Sequence, residues 1–553
     1  MHPARRSHAS QPLTACLAAV CLLAAAHDDS APGHARSAAR TLVLGVRQEP
    51  DLLDPIVSRM RSASYVGQMI FSYFARTDPT GRLVPDLLEA IPDRRNGGLS
   101  ADGRTIVYHL RRDARWHDGR PLTSADVRAT YDRIIDPDSG AANRHGWEGV
   151  EGVETPDPWT VVFKLDRARP AFIADAFVDE PVLPAHLIGD LAGSAFRESP
   201  FHRRPIGSGP FQLESWASGD HLTLRAFPRH HGGAPPLDRI VLRFVPDAAG
   251  IEAQLVTGEI DGADNLEPTS IAAVERIPRI ALQRTAGTSY EHLDLNCEHP
   301  PLDDVRVRRA IALAIDRSEI SRVVYEERWP AAWGDEPPGS RYYEPRVRAV
   351  ADHDPRQAAR LLDEAGWTAA TATGRRARAG TMLSLTLVTP GGRPDREQTA
   401  LLIRDQLARV GIALEIRLVE PTVFFSSAED AGTLQRGDFD LALFAWNAPP
   451  DPSVKEAMYG ADAVPPQGQN VSRLRDAAVS ALLRRGAIET DDVARLSLYR
   501  EAALRIAALA PSVPLVWRTQ IDAVPSALRN FRPNPTPSGN AWNVAEWTLD
   551  PGR

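Results

Sequence analysis

Residues 99–136 read LSADGRTIVYHLRRDARWHDGRPLTSADVRATYDRIID, and this run decides the fold. Ile106, Tyr108 and Leu110 alternate with Val107 and His109, the period of two that sends successive side chains to opposite faces of a strand. Asp102-Gly103 ahead of them is turn chemistry, and Asp118-Gly119 marks a second turn. Thr123 stands three residues before Asp126. The Thr123 hydroxyl can then take the N3 amide while Asp126 reaches back to the Thr123 amide, which starts a helix. Val127, Tyr131, Ile134 and Ile135 give that helix one apolar face, and Pro137 stops it. The run is therefore strand, turn and capped helix.

Outward from this unit, a chain of 553 residues has room for about three to four domains with real cores. It is 43% hydrophobic and 25% charged. The net charge of −8 becomes −10 once residues 1–26, which carry Arg5, Arg6 and no acid, are set aside. Such a surface repels phosphate backbones, so no nucleic-acid partner is expected. Residues 1–26 read as an export signal: two arginines, then an apolar run over 13–26 that is too short to span a bilayer. Leu13-Thr14-Ala15-Cys16 spells a lipobox, but the apolar region follows it. Cys21 is better placed, yet Val20 is not the small residue required before it. Simple cleavage near Ala26 is the expectation, with lipid anchoring at Cys16 or Cys21 left open. Residues 27–40 are small, polar and charged and read as a flexible tether. Cys297 is then the one cysteine of the mature chain, which excludes an internal disulfide and a multi-cysteine metal site.

Further along, residues 64–74 read as a helix with Val66, Ile70, Phe71 and Phe74 inward. Gly207-Ser208-Gly209 permits close backbone approach and is too short for a phosphate cradle. Residues 251–262 read as a helix with Leu255 and Val256 inward. Asp303 or Asp304 caps a helix whose stripe is Val307, Ile311, Ala314 and Ile315, and Asp316 with Glu319 forms a capping box for the next. Asp354-Pro355 opens another helix that Gly366 stops. Residues 368–380 read as a loop and 424–434 as a helix. Residues 383–388, 412–418 and 439–446 are strands linked by helices. This βαβαβ order gives an open α/β sheet whose ligands bind beyond the carboxyl ends of the strands, where Trp446 and Asn447 stand.

The wording of several segments adds a resemblance. Trp116-His117-Asp118-Gly119, Pro121-Leu122-Thr123 and Ala125-Asp126-Val127 resemble the signature of the family 5 extracytoplasmic solute-binding proteins, the peptide- and nickel-type receptors of ABC importers. Ile206-Gly207-Ser208-Gly209-Pro210-Phe211, Gly258-Glu259-Ile260-Asp261, the run from Pro301 to Arg308 and Ala314-Ile315-Asp316-Arg317 are similar to that family's segments and stand in its order. The resemblance covers most of residues 41–520. It implies an α/β chain with the two-lobed periplasmic binding protein type II fold and an additional subdomain in the first lobe. The first lobe is then 41–286 with 75–204 inserted, the second 287–515, and 516–553 returns to the first. It also implies a periplasmic receptor, its lipid anchoring left open, expected as a monomer, that hands its solute to a membrane permease and its ATPase.

The chain offers no catalytic motif: G-x-S-x-G, H-E-x-x-H, C-x-x-C and the P-loop are all absent. No enzyme activity, cofactor or metal is expected. His117-Asp118 reads as a turn and not as a metal centre. The candidate ligand contacts are Trp446, Asn447 and Asp451, with Tyr290 near the lobe crossing and Glu49, Pro50, Asp51 and Leu52 from the first lobe. Core packing is the alternative for Trp446 and Tyr290. Peptide-binding relatives follow the strand-ending Trp with an Asp-Tyr that holds the α-ammonium; this chain has Pro449-Pro450 there. Either Asp451 substitutes or the ligand lacks a free amino terminus. The expected solute is a peptide or peptide-like molecule. The alternatives are a sensor module, a receptor for a metal chelate or oligosaccharide, and, least favoured, a hydrolase on a borrowed fold.

Overall fold

Two long strands, Ile280–Leu295 and Ser512–Pro525, run antiparallel through the middle of the molecule, and everything else is arranged on either side of them. They belong to a computed structural model that describes residues 40–58, 60–142, 144, 146–147, 149–267, 270–370, 374–426, 432–448 and 451–550. The expected signal segment, Cys16, Cys21, the tether apart from Arg40, and Pro449-Pro450 lie outside the described residues. The two long strands sit in a ten-stranded sheet. Beyond Ile280–Leu295 lie Leu441–Asn447, Ser384–Pro390 and Ala413–Val419, and the last three are mutually parallel, the βαβαβ unit expected from the alternation of strands and helices. Beyond Ser512–Pro525 lie Gly262–Ala263, Thr41–Val46, Arg239–Phe244, His221–Ala226 and Phe211–Ala217.

Pairing of the long strands shifts register twice, with the wider break between Ala286 and Tyr290 and a second shift between Glu291 and His292. Ala286 faces Thr519 and Tyr290 faces Trp517, so residues 287–289 bulge against Arg518. The hydrophobic core divides at the same place. Leu42, Leu242, Val524 and Trp547 share one cluster, while Leu293, Leu387, Leu443 and Val516 share another. Gly287 has no room for a side chain, because a Cβ there would sit 2.7 Å from the Arg518 carbonyl oxygen.

The signature run folds as its residues require. Thr105–His109 pairs with Thr160–Leu165, which pairs with Val150–Asp157, in a separate antiparallel sheet. Helix Ser124–Ile135 starts at a complete Thr123/Asp126 capping box, and Val127, Tyr131 and Ile134 are buried. The aromatic rings of Tyr108, Tyr131 and Phe163 meet edge-on between sheet and helix. His117 and the Gly207-Ser208-Gly209 turn explain each other. The Gly209 carbonyl accepts from His117 Nε2 (3.1 Å), the Gly207 amide donates to Nδ1 (3.2 Å), and the His117 amide donates to the Gly207 carbonyl (2.8 Å). A neutral ring with its proton on Nε2 satisfies all of this, and burial lowers the imidazole pKa to about 4. Asp118 accepts from His186 (2.8 Å). The Trp-His-Asp-Gly turn is architecture, as its sequence context suggests.

Gly207 lies so close to the end of helix Arg61–Ile70 that a Cβ would fall 2.0 Å from the Ile70 carbonyl oxygen. Gly207→Ala is expected to destabilise the fold by about 1–3 kcal/mol through overpacking, read as a lower urea midpoint at unchanged slope.

Six local expectations need correction. The helix expected over 64–74 is Arg61–Ile70 and ends at Phe71, which is extended. Asp316 caps its helix by accepting from the Glu319 amide, but its own amide donates to Gln406 and not to Glu319, so the capping box is only half made. Ile135 is 41% and Val256 57% exposed, since each stands at the edge of its helix's apolar stripe. The helix containing Leu255 is Ala248–Thr257 and ends at Gly258 in the left-handed conformation. Residues 368–380 carry short paired strands, Thr368–Ala369, Arg376–Arg378 and Thr381–Met382, pinned by buried Arg376 on the carbonyls of Val410 and Trp367. Two short helices, Pro421–Phe425 and Thr433–Arg436, replace the single helix expected over 424–434.

Candidate functional site

The break in the central strands opens onto a cleft of about 1350 Å³. Its floor is Gly287, Thr288, Ser289, Arg518 and Thr519. One wall carries Arg61, Tyr65, Asp264, Asn265 and Asn540; the other carries Tyr325, Trp329, Arg393 and Asn447. A recess of about 560 Å³, lined by Gln48 and Pro50 among others, shares Arg61, Tyr65, Asp264 and Asn265 with it.

Local folding places these groups. Asn447 ends strand Leu441–Asn447, and the next amide, Ala448, donates to the Thr288 carbonyl (2.8 Å), fastening the strand end to the bulge. Arg393 precedes helix Pro394–Arg409 in the loop after a parallel strand and pairs with Asp395 (2.7 Å). Both stand where open α/β sheets bind ligands.

Beneath the floor lies Glu291, fully buried. Its two carboxylate oxygens accept from Arg396 at 3.0 and 3.1 Å, and Oε1 also accepts from Arg518 at 2.5 Å. Burial pushes this carboxyl up, but the two guanidinium groups outweigh burial and hold it below the usual glutamate range. Arg518 lies over the Trp329 ring, 5.5 Å from its centre, and Trp329 stacks on Tyr325 at 4.3 Å. On the opposite wall, Asp264 accepts from Asn540 (2.8 Å) and Gln520 (3.2 Å), beside the buried Asp522. The cleft thus presents guanidinium groups at the floor and on both walls, and carboxylates on both walls, Asp264 beside Arg61 and Asp395 beside Arg393. Neither histidine nor cysteine lines it or the recess among the described residues.

Of the residues singled out in the sequence, Asn447 lines the cleft and Pro50 the recess. Tyr290 and Trp446 are cross-strand partners in a cluster with Trp517 behind the floor; Tyr290 is buried and Trp446 half-buried. Asp451 is buried and paired with Arg495 at 2.7 Å. The Glu49 carboxylate accepts from Trp216, Ser218 and the Gly219 amide, all within 2.9 Å. Asp51 accepts from Ser58 and from the Leu52 amide, closing its own loop. Sequence reasoning passed over Arg518, Trp329, Arg393 and Asp264. The strand-to-helix position of Gly391-Gly392-Arg393-Pro394 is a signal that could have pointed to Arg393; Arg518 and Asp264 have none.

A central sheet shared by two cores, with a polar cleft at the crossing, defines the architecture of a two-lobed binding protein. The family model described as bacterial extracellular solute-binding proteins, family 5 Middle, matches residues 82–463, and the chain belongs to that family. It is 26% identical over 510 residues to the oligopeptide-binding protein AppA of Bacillus subtilis (strain 168), covering 92% of this chain and 91% of that protein. Protein XP55 of Streptomyces lividans is 28% identical over 508 residues, 90% of this chain and 88% of that one. The solved structure of B. subtilis AppA in complex with a nonapeptide matches 92% of this chain and 99% of its own at a TM-score of 0.65. HbpA2 from Haemophilus parasuis matches 92% and 100% at a TM-score of 0.78 and 21% identity, a likeness of fold. No helix among the described residues is long and apolar enough to cross a membrane.

Proposed function

We propose that this chain is the extracytoplasmic receptor of an ABC importer, closing on a peptide or peptide-like solute and passing it unaltered to a membrane permease and its ATPase. The carrying observation is the cleft. At about 1350 Å³ it exceeds the roughly 300–1000 Å³ of sites for drug-sized ligands, and it presents both signs of charge on facing walls, as a zwitterionic chain requires. AppA, a relative over most of the chain, is named for oligopeptides. Within this reading the lobes are 41–286 with 75–204 inserted, 287–515, and 516–553, and the hinge is the bulge 287–289 opposite Arg518. Differential affinity for the closed state drives closure. Arg518 and Arg393 answer a ligand carboxylate, Asn447 the backbone, and Asp264 a cationic group; Tyr290 and Trp446 support the floor, while Asp451 holds the second lobe together. Export with cleavage near Ala26 and a monomeric state complete the reading.

The test is calorimetry of the purified protein against peptides of two to nine residues, with scattering before and after. Binding of at least one peptide class with a reduced radius of gyration is expected. Arg518→Ala should weaken that binding about 10- to 100-fold, the loss of one charge-assisted contact. Indifference to every peptide, with binding of a metal chelate or sugar instead, overturns the peptide assignment and keeps the receptor.

A further inference from the structure

Asp86, His230 and His231 come together on the first-lobe side, and none of the three lines the cleft or its recess. Asp86 follows the short strand Leu83–Pro85, whereas the two histidines occupy the turn before strand Arg239–Phe244. One potential ligand atom from each lies within 4.8 Å of the other two. His231 Nε2 and Asp86 Oδ1 are 2.7 Å apart, and the other carboxylate oxygen accepts from Arg76 Nε and the Tyr73 amide, both at 3.0 Å. Two ring nitrogens are left over: His230 Nε2 and His231 Nδ1 are buried without a hydrogen-bond partner. His230 is only 8% exposed, so its orphan nitrogen has no ready exit to water.

We propose that Asp86, His230 and His231 form a binding site for a divalent metal ion of borderline softness, represented by Zn²⁺, with water completing the coordination. The donor set of two imidazoles and a carboxylate is one that Zn²⁺ accepts readily, and its bonds of about 2.0–2.2 Å place tetrahedral ligands about 3.3 Å apart. The cluster must therefore contract by roughly 1–1.5 Å at its widest. Rotation of the His230 ring can supply this, because its remaining contact is weak: the exposed Gly232 amide donates to Nδ1 at 3.2 Å. Coordination through Nε2 moves that ring's proton to Nδ1 and returns the Gly232 amide to solvent. Arg76 stays on the outer carboxylate oxygen and fixes the orientation of Asp86, as second-shell groups do at metal sites. The ion would fasten the loop after Leu83–Pro85 to the turn that links strands His221–Ala226 and Arg239–Phe244 of the large sheet, 145 residues further along the chain.

The protein is stripped with chelator, dialysed and titrated with Zn²⁺ alone by calorimetry, with metal content and thermal midpoint measured on the same samples. One equivalent bound and a raised midpoint are expected. His230→Gln and His231→Gln should each lower the affinity at least tenfold, whereas His299→Gln, remote in sequence and outside the cluster, leaves it unchanged. Metal-free circular dichroism and melting of each variant establish that it is folded. Binding that survives both substitutions, or the absence of a bound equivalent in the folded wild-type protein, overturns the site. Peptide affinity is unaffected by either result.

Discussion

Asp451→Ala is expected to lower the stability of the folded chain by about 3–5 kcal/mol, the cost of stranding a buried charge whose partner has gone. Both carboxylate oxygens of Asp451 accept from Arg495, each at 2.7 Å. Arg495 is itself buried, donates to the Tyr342 hydroxyl (2.8 Å) and the Gly486 carbonyl (3.0 Å), and lies 5.2 Å from the centre of the Tyr499 ring. Without Asp451 this guanidinium keeps its charge and loses its only carboxylate contact among those bonds. Burial raises the Asp451 carboxyl, but Arg495 outweighs it and the net shift is downward. A lowered carboxyl pKa contributes stability that is present above the unfolded value near 3.8 and is lost as pH falls through the folded value. The gap between wild type and variant should therefore be full at pH 7 and narrow below pH 4. Urea unfolding at pH 7 and pH 3.5 reads both. A variant that keeps its urea midpoint but binds peptide tenfold more weakly would make Asp451 a ligand contact instead.

That pair also shows what a sequence does and does not carry. The capped helix after Thr123, the Asp304, Asp316 and Asp354 caps and the parallel strands of the second lobe were legible, because caps and periodicities are written in residues three or four apart. The cleft was half legible. The topology rule located Asn447 at the end of its strand, but Glu291 meets Arg396 across 105 residues and Arg518 across 227, and no local pattern announces such partners. Trp446 and Asp451 looked alike as polar or aromatic residues at or just past the end of a strand. Only packing separates them, one beside the floor of the cleft and the other facing Arg495. The errors at Ile135 and Val256 have a different origin: an apolar residue one position off the centre of a helical stripe can face either way, and the neighbouring element decides.

Asp522→Asn should flatten the dependence of stability on pH between 4 and 8 and leave the variant more stable than wild type at the alkaline end. Asp522 is 1% exposed on the central strand Ser512–Pro525. It accepts from the Asn265 amide (2.8 Å) and from Gln520 (3.1 Å), with the Asp264 carboxylate beside it. Burial, and after it the charge of Asp264, push its carboxyl up to about 7. The sign is the reverse of the Asp451 case. A raised carboxyl pKa favours the folded state fully below the unfolded value of 3.8, and this contribution is lost as pH rises towards 7. The whole loss is at most about 4 kcal/mol at 1.36 kcal/mol per unit. An amide holds the neutral form at every pH, so wild type should fall in urea midpoint from pH 4.5 to 7.5 while Asp522→Asn holds its own. Asp264 lines the cleft, which ties this titration to the ligand. Asp522 is neutral below pH 7 and charged above it, so affinity for a cationic peptide should rise between pH 6 and 8 in wild type and stay level in Asp522→Asn. Parallel pH profiles for the two proteins, in stability and in affinity alike, would show that Asp522 is already ionised in the folded chain at neutral pH.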